Sequence, residues 1–425
     1  MLSAEFIREH PDDVRDALRR RHVDAPLEDV LRCDAERRRI IPEVENLKAG
    51  RNAASKRIGQ TKDPEERQRL IAEQAGARDR IDALEAELKV VETRLTDALM
   101  QIPNMPLPEV PDGPDESANV VVRHGDVPLP ELGFPAQPHW ELGERLSIID
   151  FDRGVKMSGS RFYVLKGLGA RLQRALIQLM LDMHVYEHGL EEIYPPALVK
   201  EASLWASGDL PKFLDNLYHD YEDDLWLVPT AEVPITNMYR DEILEPDTLP
   251  LRYVAYTPCF RREKMSAGRD VRGIKRVHQF DKVEMFTFAE PEHSMAELER
   301  MLRHAEAVCD RLELPHRILQ ICTGDLGFKS SISYDVEVWA AGQQEWLEVS
   351  SVSNVRDFQA RRANIRFRRE PQGRPEHPHM LNGSGLALPR VVIAILENNQ
   401  NEDGSVTVPV ALRHYLRTDV IGNRE

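Results

Sequence analysis

The clearest hydrophobic pattern of the chain lies in its first hundred residues. Between residues 27 and 102, apolar side chains recur three and four positions apart, at Ile81, Leu84, Leu88, Val91, Leu95, Leu99 and Ile102. Such spacing places one apolar stripe along one face of a helix. Ile40, Val44 and Leu47 form a matching stripe upstream. The pattern therefore predicts two long amphipathic helices.

The segment from Gly59 to Pro64 separates the two stripes. A glycine stop, Asp63 as a cap and Pro64 as the first helical residue are typical of one helix ending and another beginning. A dimerising coiled coil and an intramolecular antiparallel hairpin both fit the stripes, and the turn at Pro64 favours the hairpin. Helices of about 35 residues would extend roughly 50 Å, which predicts a projecting arm. Pro42 is a candidate bend in the first helix.

The chain after residue 102 has a different pattern. Residues 103–138 are rich in proline, aspartate and glycine, which disfavours regular helix and predicts a linker. Beyond it, helical stretches such as 172–188 and 295–312 mix with short strands such as 251–256 and 334–339. Strands without regular βαβ alternation predict an α+β fold, with an antiparallel sheet flanked by helices.

Length and composition are those of a globular protein with more than one domain. The 425 residues suggest two or three units at about 150 residues per domain. We predict a helical region at 1–102 with its hairpin at 27–102, the linker at 103–138, and a body at 139–425. No apolar run approaches about 20 residues, so no membrane span is expected. The amino terminus lacks the features of a secretion signal, which makes the cytoplasm the default location.

Cysteine spacing and charge narrow the chemistry. The four cysteines form no Cys-x-x-Cys pair and have no histidine at metal-ligand spacing, so neither disulfides nor zinc are expected. The formal net charge of −16 repels polyanions, so any polyanion site must be local. Segments 48–62, 261–276 and 361–374 are locally basic. One such run is usually solvated surface, and three weaken that interpretation. Rossmann and P-loop glycine motifs are absent from the sequence, so a nucleotide would have to bind through a different kind of site.

The densest set of functional side chains follows a predicted strand. Arg261, Arg262 and Glu263 precede a basic loop, and Phe280 and Glu284 follow it. Arg261 can fork onto a phosphate, Glu263 can accept from an adenine amino group, and Phe280 offers a stacking face. A salt-bridged hairpin with a buried phenylalanine is the alternative, and a second patch shifts the balance toward a triphosphate site.

That second patch combines Glu348 with Ser350 and Ser351 on another predicted strand. Strand alternation points Glu348 and Ser350 to one face and Ser351 to the other unless a bulge intervenes. Carboxylate and hydroxyl oxygens are hard ligands, so Glu348 and Ser351 could hold a Mg²⁺ that bridges phosphates. An exposed acidic edge strand is the alternative. A third patch, residues 382–385 before Arg390, has glycines that suit close backbone approach, as do ordinary helix-start turns.

Together these patches resemble the three signature motifs of the class II aminoacyl-tRNA synthetases. The first motif is similar to the helix ending at His188 with the strand at Pro195–Pro196, the second to Cys259–Glu284 and the third to Asn382–Arg390. In detail the chain resembles the bacterial-type seryl-tRNA synthetase family over essentially its whole length. That finer likeness rests on Leu210–Phe213, Thr230–Glu232, Cys322–Asp325, Ser353–Asn354 and Phe358–Arg362.

The resemblance implies a serine–tRNA ligase that makes seryl-adenylate from L-serine and ATP and transfers serine to tRNA(Ser). It implies serine binding by Thr230, Ala231, Glu232, Arg261, Glu284 and Ser384. It implies ATP binding by Arg261, Arg262, Glu263, Val277, Phe280, Glu348, Val349, Ser350, Ser351 and Arg390. Its implied catalytic residues are Arg261, Glu263 and Arg390, and its implied Mg²⁺ ligands are Glu348 and Ser351. The chemistry agrees, because a serine zwitterion needs carboxylates and an arginine around it.

The resemblance also assigns a role to the arm, which in this family clasps the long variable arm and elbow of the tRNA. It implies phosphate contacts by Lys48, Arg51, Lys56 and Arg57. A homodimer is implied, and so is serylation of tRNA(Sec) in a cell that has one. The chain departs from the family at Lys264–Met265, where most bacterial relatives carry Ala-Gly in the loop that meets the tRNA acceptor end.

Two other classes of protein share parts of this pattern. Truncated relatives load amino acids onto carrier proteins instead of tRNA, and they characteristically lack the arm predicted here. An RNA-binding protein without catalysis would have lost the arginine of the second motif, the Glu348 and Ser351 pair, or Arg390. All of these residues are present.

Overall fold

The computed structural model describes residues 1–264 and 272–422, with only the backbone at 73–75. Met265, one of the two residues at which the chain departs from the family, lies outside the described residues. The chain divides into two compact units. The first comprises Met1–Arg19 and Val23–Pro103, and the second comprises Arg20–His22 and Asn104–Glu425.

Two long antiparallel helices dominate the first unit. Its helices are α1 (Ala4–Glu9), α2 (Pro11–Arg20), α3 (Leu27–Gln60) and α4 (Pro64–Leu99). The predicted stripes meet along the α3–α4 pair, where Ile40, Ile81 and Leu84 are at most 1% exposed. Arg39 on α3 forms an ion pair of 2.7 Å with Glu87 on α4. Exposed pairs of this kind contribute only about 0–1 kcal/mol each, so apolar burial stabilises the hairpin. The predicted intramolecular hairpin is confirmed.

The turn of the hairpin follows from its capping residues. Asp63 is the N-cap of α4, and its Oδ1 accepts a hydrogen bond of 3.0 Å from the backbone N–H of Glu65. Pro64 occupies the first helical position, where its missing N–H is not needed. α3 ends at Gln60, one residue beyond the glycine of the predicted stop, and it continues without interruption through Pro42.

An eight-stranded sheet forms the centre of the second unit. In spatial order its strands are β1 (Val120–His124), β11 (His316–Gln320), β12 (Ile332–Ala340), β13 (Glu345–Arg356), β15 (His379–Ala387), β10 (Gln279–Ala289), β9 (Leu251–Phe260) and β4 (Glu191–Ile193). All neighbouring pairs are antiparallel except β4 with β9. The predicted α+β fold is confirmed.

Shorter elements surround this sheet. The remaining strands are β2 (Ile149–Asp150), β3 (Val164–Leu165), β5 (Leu198–Lys200), β6 (Tyr218–Asp220), β7 (Leu225–Leu227), β8 (Ile243–Leu244), β14 (Arg366–Phe367), β16 (Val406–Thr407) and β17 (Val420–Ile421). The helices are α5 (His139–Arg145), α6 (Phe151–Ser158), α7 (Leu168–Asp182), α8 (Glu201–Ser207), α9 (Glu232–Thr236), α10 (Ser294–Arg311), α11 (Phe358–Arg362), α12 (Leu388–Asn398) and α13 (Val410–Leu416). A π-helical turn, Met183–Glu187, extends α7.

Helices α7, α10 and α12 bury one face of the sheet. Their apolar residues, including Leu176 and Leu302, pack against inward side chains of the strands such as Val283 and Met285. α12 is apolar on nearly all sides and almost completely buried, as expected of a helix inside the core. On β10, Lys282 and Glu284 alternate with these core residues and therefore lie on the opposite face.

The segment predicted as a linker takes part in the second unit. Residues 120–124 form β1, which pairs with β11 at the edge of the sheet. Upstream, the backbone N–H of Leu107 donates to the carbonyl of Ser331 at 2.9 Å. Val120, Val121 and Val122 are all exposed, so the segment lacks the alternation that reveals a half-buried strand. Proline-rich composition excluded a helix here but not an edge strand. No helix in the described part of the chain is long and apolar enough to span a membrane.

Candidate active site

A cavity of about 320 Å³ opens on the polar face of the sheet. Strands β10, β13 and β15, the start of α12 and the segments next to the ends of β9 and β10 supply most of its wall. Twelve residues predicted to bind serine, ATP or Mg²⁺ line it: Thr230, Glu232, Arg261, Glu263, Val277, Phe280, Glu284, Glu348, Val349, Ser351, Ser384 and Arg390. The sheet therefore gathers residues that are up to 160 positions apart in sequence, counted from Thr230 to Arg390.

Three of the predicted residues do not line the cavity. The Nε of Arg262 donates to the carbonyl of Leu217 at 2.6 Å, and its guanidinium lies over the ring of Tyr218, 4.5 Å from the centroid. The hydroxyl of Ser350 donates to the backbone carbonyl of Ser384 at 2.6 Å. Ala231 is fully buried. These three side chains are turned to protein partners or buried, and their expected roles in binding serine or ATP stay predictions.

A β-bulge sets the position of the proposed metal ligands. Asp335 pairs with Ser351, whereas Glu337 pairs with Glu348, so Val349 is an extra residue on β13. One extra residue reverses the alternation of a strand and returns Glu348 and Ser351 to the same face. Strict alternation would point these two side chains to opposite faces, and the bulge is the exception that lets them share one.

The donor set around this bulge suits a hard cation. Glu348 and Ser351 line the cavity, and Asp335 lies opposite Ser351 on the neighbouring strand. Burial raises the pKa of Asp335 well above its ordinary value, and the carboxylate of Glu348 raises it further. Asp335 Oδ1 is buried without a hydrogen-bond partner among the described residues. A divalent cation would relieve the repulsion between these carboxylates, and oxygen ligands of this kind are those that Mg²⁺ prefers.

A second bulge aligns residues at the other end of the cavity. Glu284 pairs with Ser384 whereas Val283 pairs with Leu386, so Gly385 is the extra residue on β15. The hydroxyl of Thr230 donates to Glu284 Oε2 at 2.7 Å, and Lys282 Nζ donates to that hydroxyl at 2.8 Å. Lys282 also forms an ion pair with Glu284. A buried carboxylate therefore has a cation and a hydroxyl beside it.

Glu232 is the second buried carboxylate of the cavity. Its Oε1 accepts hydrogen bonds from Gln359 Nε2 at 2.5 Å and from Asn382 Nδ2 at 3.3 Å. Lys329 Nζ lies 2.8 Å from the same oxygen and 3.4 Å from Asp209 Oδ2. Burial raises the pKa of Glu232, and the positive charge of Lys329 opposes that rise. Asp209 and Glu232 in turn raise the pKa of Lys329 although burial lowers it.

Arginines supply positive charge elsewhere in the wall. Arg261 Nε donates to the carbonyl of Pro229 at 3.3 Å, and its guanidinium lies 5.2 Å from the centroid of the Phe280 ring. Arg390 donates to the carbonyl of Glu348 at 2.6 Å and lies 3.3 Å from that residue's carboxylate. Both arginines thus have fixed stems while their remaining donors can face the cavity.

Sequence reasoning missed several residues of this site. Lys275, Arg276, Lys282, Asn382, Ala387 and Pro389 also line the cavity. The position of Lys282, two residues before Glu284 on one strand, was a usable signal, because residues i and i+2 share a face. Lys329 comes from a loop between β11 and β12 that has no pattern of its own. It lines a second chamber of about 420 Å³, which shares Thr230, Glu232, Arg261, Glu263 and Arg276 with the first.

A buried histidine supports the segment that carries Lys275, Arg276 and Val277. His139 Nε2 accepts a hydrogen bond of 3.1 Å from the backbone N–H of Ile274. The other ring nitrogen, Nδ1, lies 2.8 Å from Glu397 Oε1 on α12. Since Nε2 is the acceptor, Nδ1 carries the proton and donates to Glu397. The segment is thus tied to the buried helix α12.

Comparisons with known proteins agree with this geometry. The family model of the seryl-tRNA synthetase N-terminal domain matches residues 1–106, and that of the tRNA synthetase class II core domain (G, H, P, S and T) matches residues 215–399. The serine–tRNA ligase of Thermomicrobium roseum is 60% identical over 98% of this chain and 93% of its own. That of Roseiflexus castenholzii is 61% identical over 98% of both chains.

A solved structure extends the likeness to three dimensions. The seryl-tRNA synthetase of Pyrococcus horikoshii, crystallised with ATP, superimposes with a TM-score of 0.94 at 37% identity over 100% of both chains. The antiparallel sheet with its three motifs is thus the core of a class II aminoacyl-tRNA synthetase. Sequence identity of 60–61% over 98% of the chain covers both units and identifies the family within this class. The chain belongs to the seryl-tRNA synthetase family.

The support by His139 predicts a position-specific effect of adding one methyl group. At Gly273 a Cβ would lie 2.1 Å from His139 Nε2, whereas at Gly133 nothing lies within 4 Å, and both have positive φ, +78° and +72°. Gly133→Ala should cost about 1–2 kcal/mol of unfolding free energy through backbone strain alone. Gly273→Ala should cost about 2 kcal/mol more because the histidine must move. Denaturant unfolding of both variants measures the difference, and equal losses would contradict the role of His139.

Proposed function

We propose that the chain is a serine–tRNA ligase that activates L-serine with ATP and transfers it to tRNA(Ser). One observation carries this proposal: two buried carboxylates, each with its own lysine, share a cavity with Arg261 and Arg390. Carboxylates and a hydroxyl suit a small amino acid, and arginines suit phosphates. A site that held only a nucleotide would have no need of the buried carboxylates Glu232 and Glu284.

The carboxylates define a subsite for serine. Glu232 binds the substrate ammonium group, Arg261 binds its carboxylate, and Glu284 with Ser384 binds its hydroxyl. Thr230 already donates to Glu284, so the hydroxyl subsite has little freedom to rearrange. Alanine binds weakly because it leaves these polar groups unpaired. Threonine is rejected by the space that its extra methyl group needs.

The other end of the cavity suits ATP. Arg261 and Arg390 hold phosphate oxygens, Glu263 accepts from the adenine amino group, and Phe280 offers a face for stacking. Glu348 and Ser351 hold Mg²⁺, which when bound offsets charge on the phosphates and orients them. The bulge at Val349 supports this assignment because it puts both oxygen ligands on the cavity face. No zinc is required for the reaction.

The reaction needs no nucleophilic side chain. The serine carboxylate attacks the α-phosphate in line, pyrophosphate leaves with the electron pair of the broken P–O bond, and seryl-adenylate remains. A hydroxyl of the terminal tRNA ribose then attacks the acyl carbon, and AMP leaves. Arg261 and Arg390 stabilise the charge that develops on the phosphate oxygens, so catalysis comes from orientation and electrostatics.

The helical hairpin serves tRNA binding. Lys56 and Arg57 are exposed on α3, while Lys48 forms an ion pair of 2.6 Å with Glu85 on α4. The chain as a whole is acidic, so a local basic stretch is needed to hold RNA phosphates.

The protein works as a homodimer in the cytoplasm. It also attaches serine to tRNA(Sec) in cells that contain this tRNA.

Amino-acid-dependent ATP–pyrophosphate exchange tests the chemistry. Among the twenty amino acids with Mg²⁺ present, serine should give the exchange, and charging of total tRNA with serine should follow. Arg261→Ala should lower exchange by about 100-fold or more, since it removes a donor to the developing charge. Arg262→Ala is the matched control, because this neighbouring guanidinium lies outside the cavity wall, and it should change exchange far less.

The outcomes of this assay separate the alternatives. Exchange with serine but without tRNA charging would indicate a ligase for a carrier protein, which serylation of a phosphopantetheinylated carrier would establish. Absence of exchange with any amino acid would leave an RNA-binding protein on this fold. An Arg262 variant as defective as the Arg261 variant would contradict the placement of the two side chains.

Charge reversal on the arm should separate tRNA binding from activation. Lys56→Glu with Arg57→Glu should raise the KM for tRNA by about tenfold or more, because two phosphate contacts become repulsive. Serine-dependent exchange should be unchanged. Lys89→Glu with Arg94→Glu, exposed on α4 outside the basic stretch, makes the same change in charge as a control. Equal effects of the two double variants on charging would show that overall charge, and not this stretch, holds the tRNA.

Lys329 should set the pH dependence of serine binding. Without this cation, the pKa of Glu232, already raised by burial and by Asp209, rises further, so Lys329→Met increases the protonated fraction of that carboxylate and weakens its hold on the ammonium. The serine KM of the variant should exceed that of the parent by about tenfold at pH 6.5 and by less at pH 8, because a higher pH favours the charged form of Glu232.

Three comparisons make the Lys329 result specific. The KM for ATP should not change, and Lys329→Arg should restore much of the serine affinity because it keeps the charge. Lys166→Met removes another lysine that pairs with a carboxylate, Asp150 at 3.0 Å, outside the cavity. A serine KM that is unchanged in Lys329→Met, or raised equally at both pH values, would show that Lys329 does not control the charge of Glu232.

A further inference from the structure

Three histidines meet on the side of the sheet opposite the cavity. His188 follows the π-helical turn that contains His184, and His304 lies on α10. His184 Nδ1 is 3.0 Å from His188 Nδ1. The rings of His188 and His304 stack with centroids 4.0 Å apart. One nitrogen from each of the three rings lies within 4.8 Å of the others.

The local structure explains this convergence. His184 and His188 are four residues apart, a spacing that places two side chains on one face of a helix. α10 packs against the same layer of the core, and the ring of His304 meets them from the other side. The strand β15 comes close at Gly385, where a Cβ would lie 2.5 Å from His184 Nε2. The trio is therefore held by three elements, which limits the freedom of each ring.

The surroundings favour neutral imidazoles. Burial, with a smaller contribution from the neighbouring histidines, lowers the pKa of His184 to about 3. Burial likewise lowers the pKa of His304 to about 4. Arg311 pairs with Glu187 at 2.6 Å, whereas Arg252 and Arg300 share Glu297 at 2.7 Å and 3.5 Å. The positive charge left beside His304 also favours its neutral form. Neutral imidazole keeps a nitrogen lone pair that can bind a metal.

We propose that His184, His188 and His304 form a binding site for one Zn²⁺, or a similar borderline transition cation, per chain. Three nitrogen ligands and one water complete a tetrahedral site, the arrangement that zinc favours. No carboxylate belongs to the trio, so Mg²⁺, which requires oxygen ligands, is excluded from it. This site is chemically distinct from the one at Glu348 and Ser351, and it does not depend on the proposed function.

The proposal revises one expectation from the sequence. Zinc was not expected because the cysteines are scattered and lack histidine partners. The spacing of His184 and His188 is itself a common metal-binding spacing, but the third ligand lies 116 residues further along the chain. Only the packing of α10 against the end of α7 brings it into place. A bound cation would join these two elements beside the strand that carries Ser384.

Metal binding to the whole, tag-free protein tests this site. After treatment with a chelator, titration with Co²⁺ should give the visible absorption bands of a tetrahedral site at one equivalent per chain, and Zn²⁺ should displace it. Zn²⁺ should raise the thermal midpoint, because a ligand that binds only the folded state stabilises it, and Mg²⁺ should not do so through this trio. His188→Gln and His304→Asn should each weaken Zn²⁺ binding by about tenfold or more.

Controls make either answer decisive. His414→Gln changes an exposed histidine and should leave the Co²⁺ bands intact. Should the trio variants fold poorly, crystals of the unaltered protein soaked in Zn²⁺ provide a second measurement through anomalous scattering. A peak between the three rings supports the site. Absence of stoichiometric binding, a peak only elsewhere, or binding that survives in both trio variants would overturn it and leave a packed, metal-free histidine cluster.

Discussion

The cost of burying negative charge determines how the active site is built. Glu232 and Glu284 lie in the protein interior, where an unpaired carboxylate would be several kcal/mol unfavourable. Each has a lysine at hydrogen-bond or ion-pair distance, Lys329 for the first and Lys282 for the second. Amide and hydroxyl groups donate further hydrogen bonds, to Glu232 Oε1 and to Glu284 Oε2. A site assembled this way is rigid before substrate arrives, and a small zwitterion can replace water at little cost in reorganisation.

Hydrophobic periodicity and residue type predict elements and candidate chemistry, but they do not determine the direction of each side chain. The stripe around Leu84 predicted the hairpin because helix packing repeats every three to four residues. The arginines of the motifs were found because residue type alone suggests phosphate chemistry. Side-chain direction was less accessible: Arg262 stands next to Arg261 in sequence but turns to Leu217, and the bulge at Val349 cannot be read from strand alternation. Lys329 was missed because its loop has no repeat, and only the fold brings it to Glu232.

The two units face the same electrostatic problem. A chain with a formal net charge of −16 repels RNA and nucleotides at long range. Recognition must therefore rely on short-range contacts, where basic groups are concentrated. The cavity contains Arg261, Lys275, Arg276, Lys282 and Arg390, and the hairpin exposes Lys56 and Arg57. Salt weakens such contacts, and an acidic background adds discrimination against polyanions that lack the right shape.

The bulge on β13 has a consequence for how this strand can change over evolution. Side chains along a strand alternate between its two faces, and Val349 adds one residue to that alternation. The part of β13 before Val349 and the part after it therefore follow opposite alternation patterns. Deleting that residue, or adding another, would turn Glu348 toward the core and expose a core residue, although composition would hardly change. Substitutions can therefore accumulate along β13 one at a time, whereas a change of length is confined to the loops on either side.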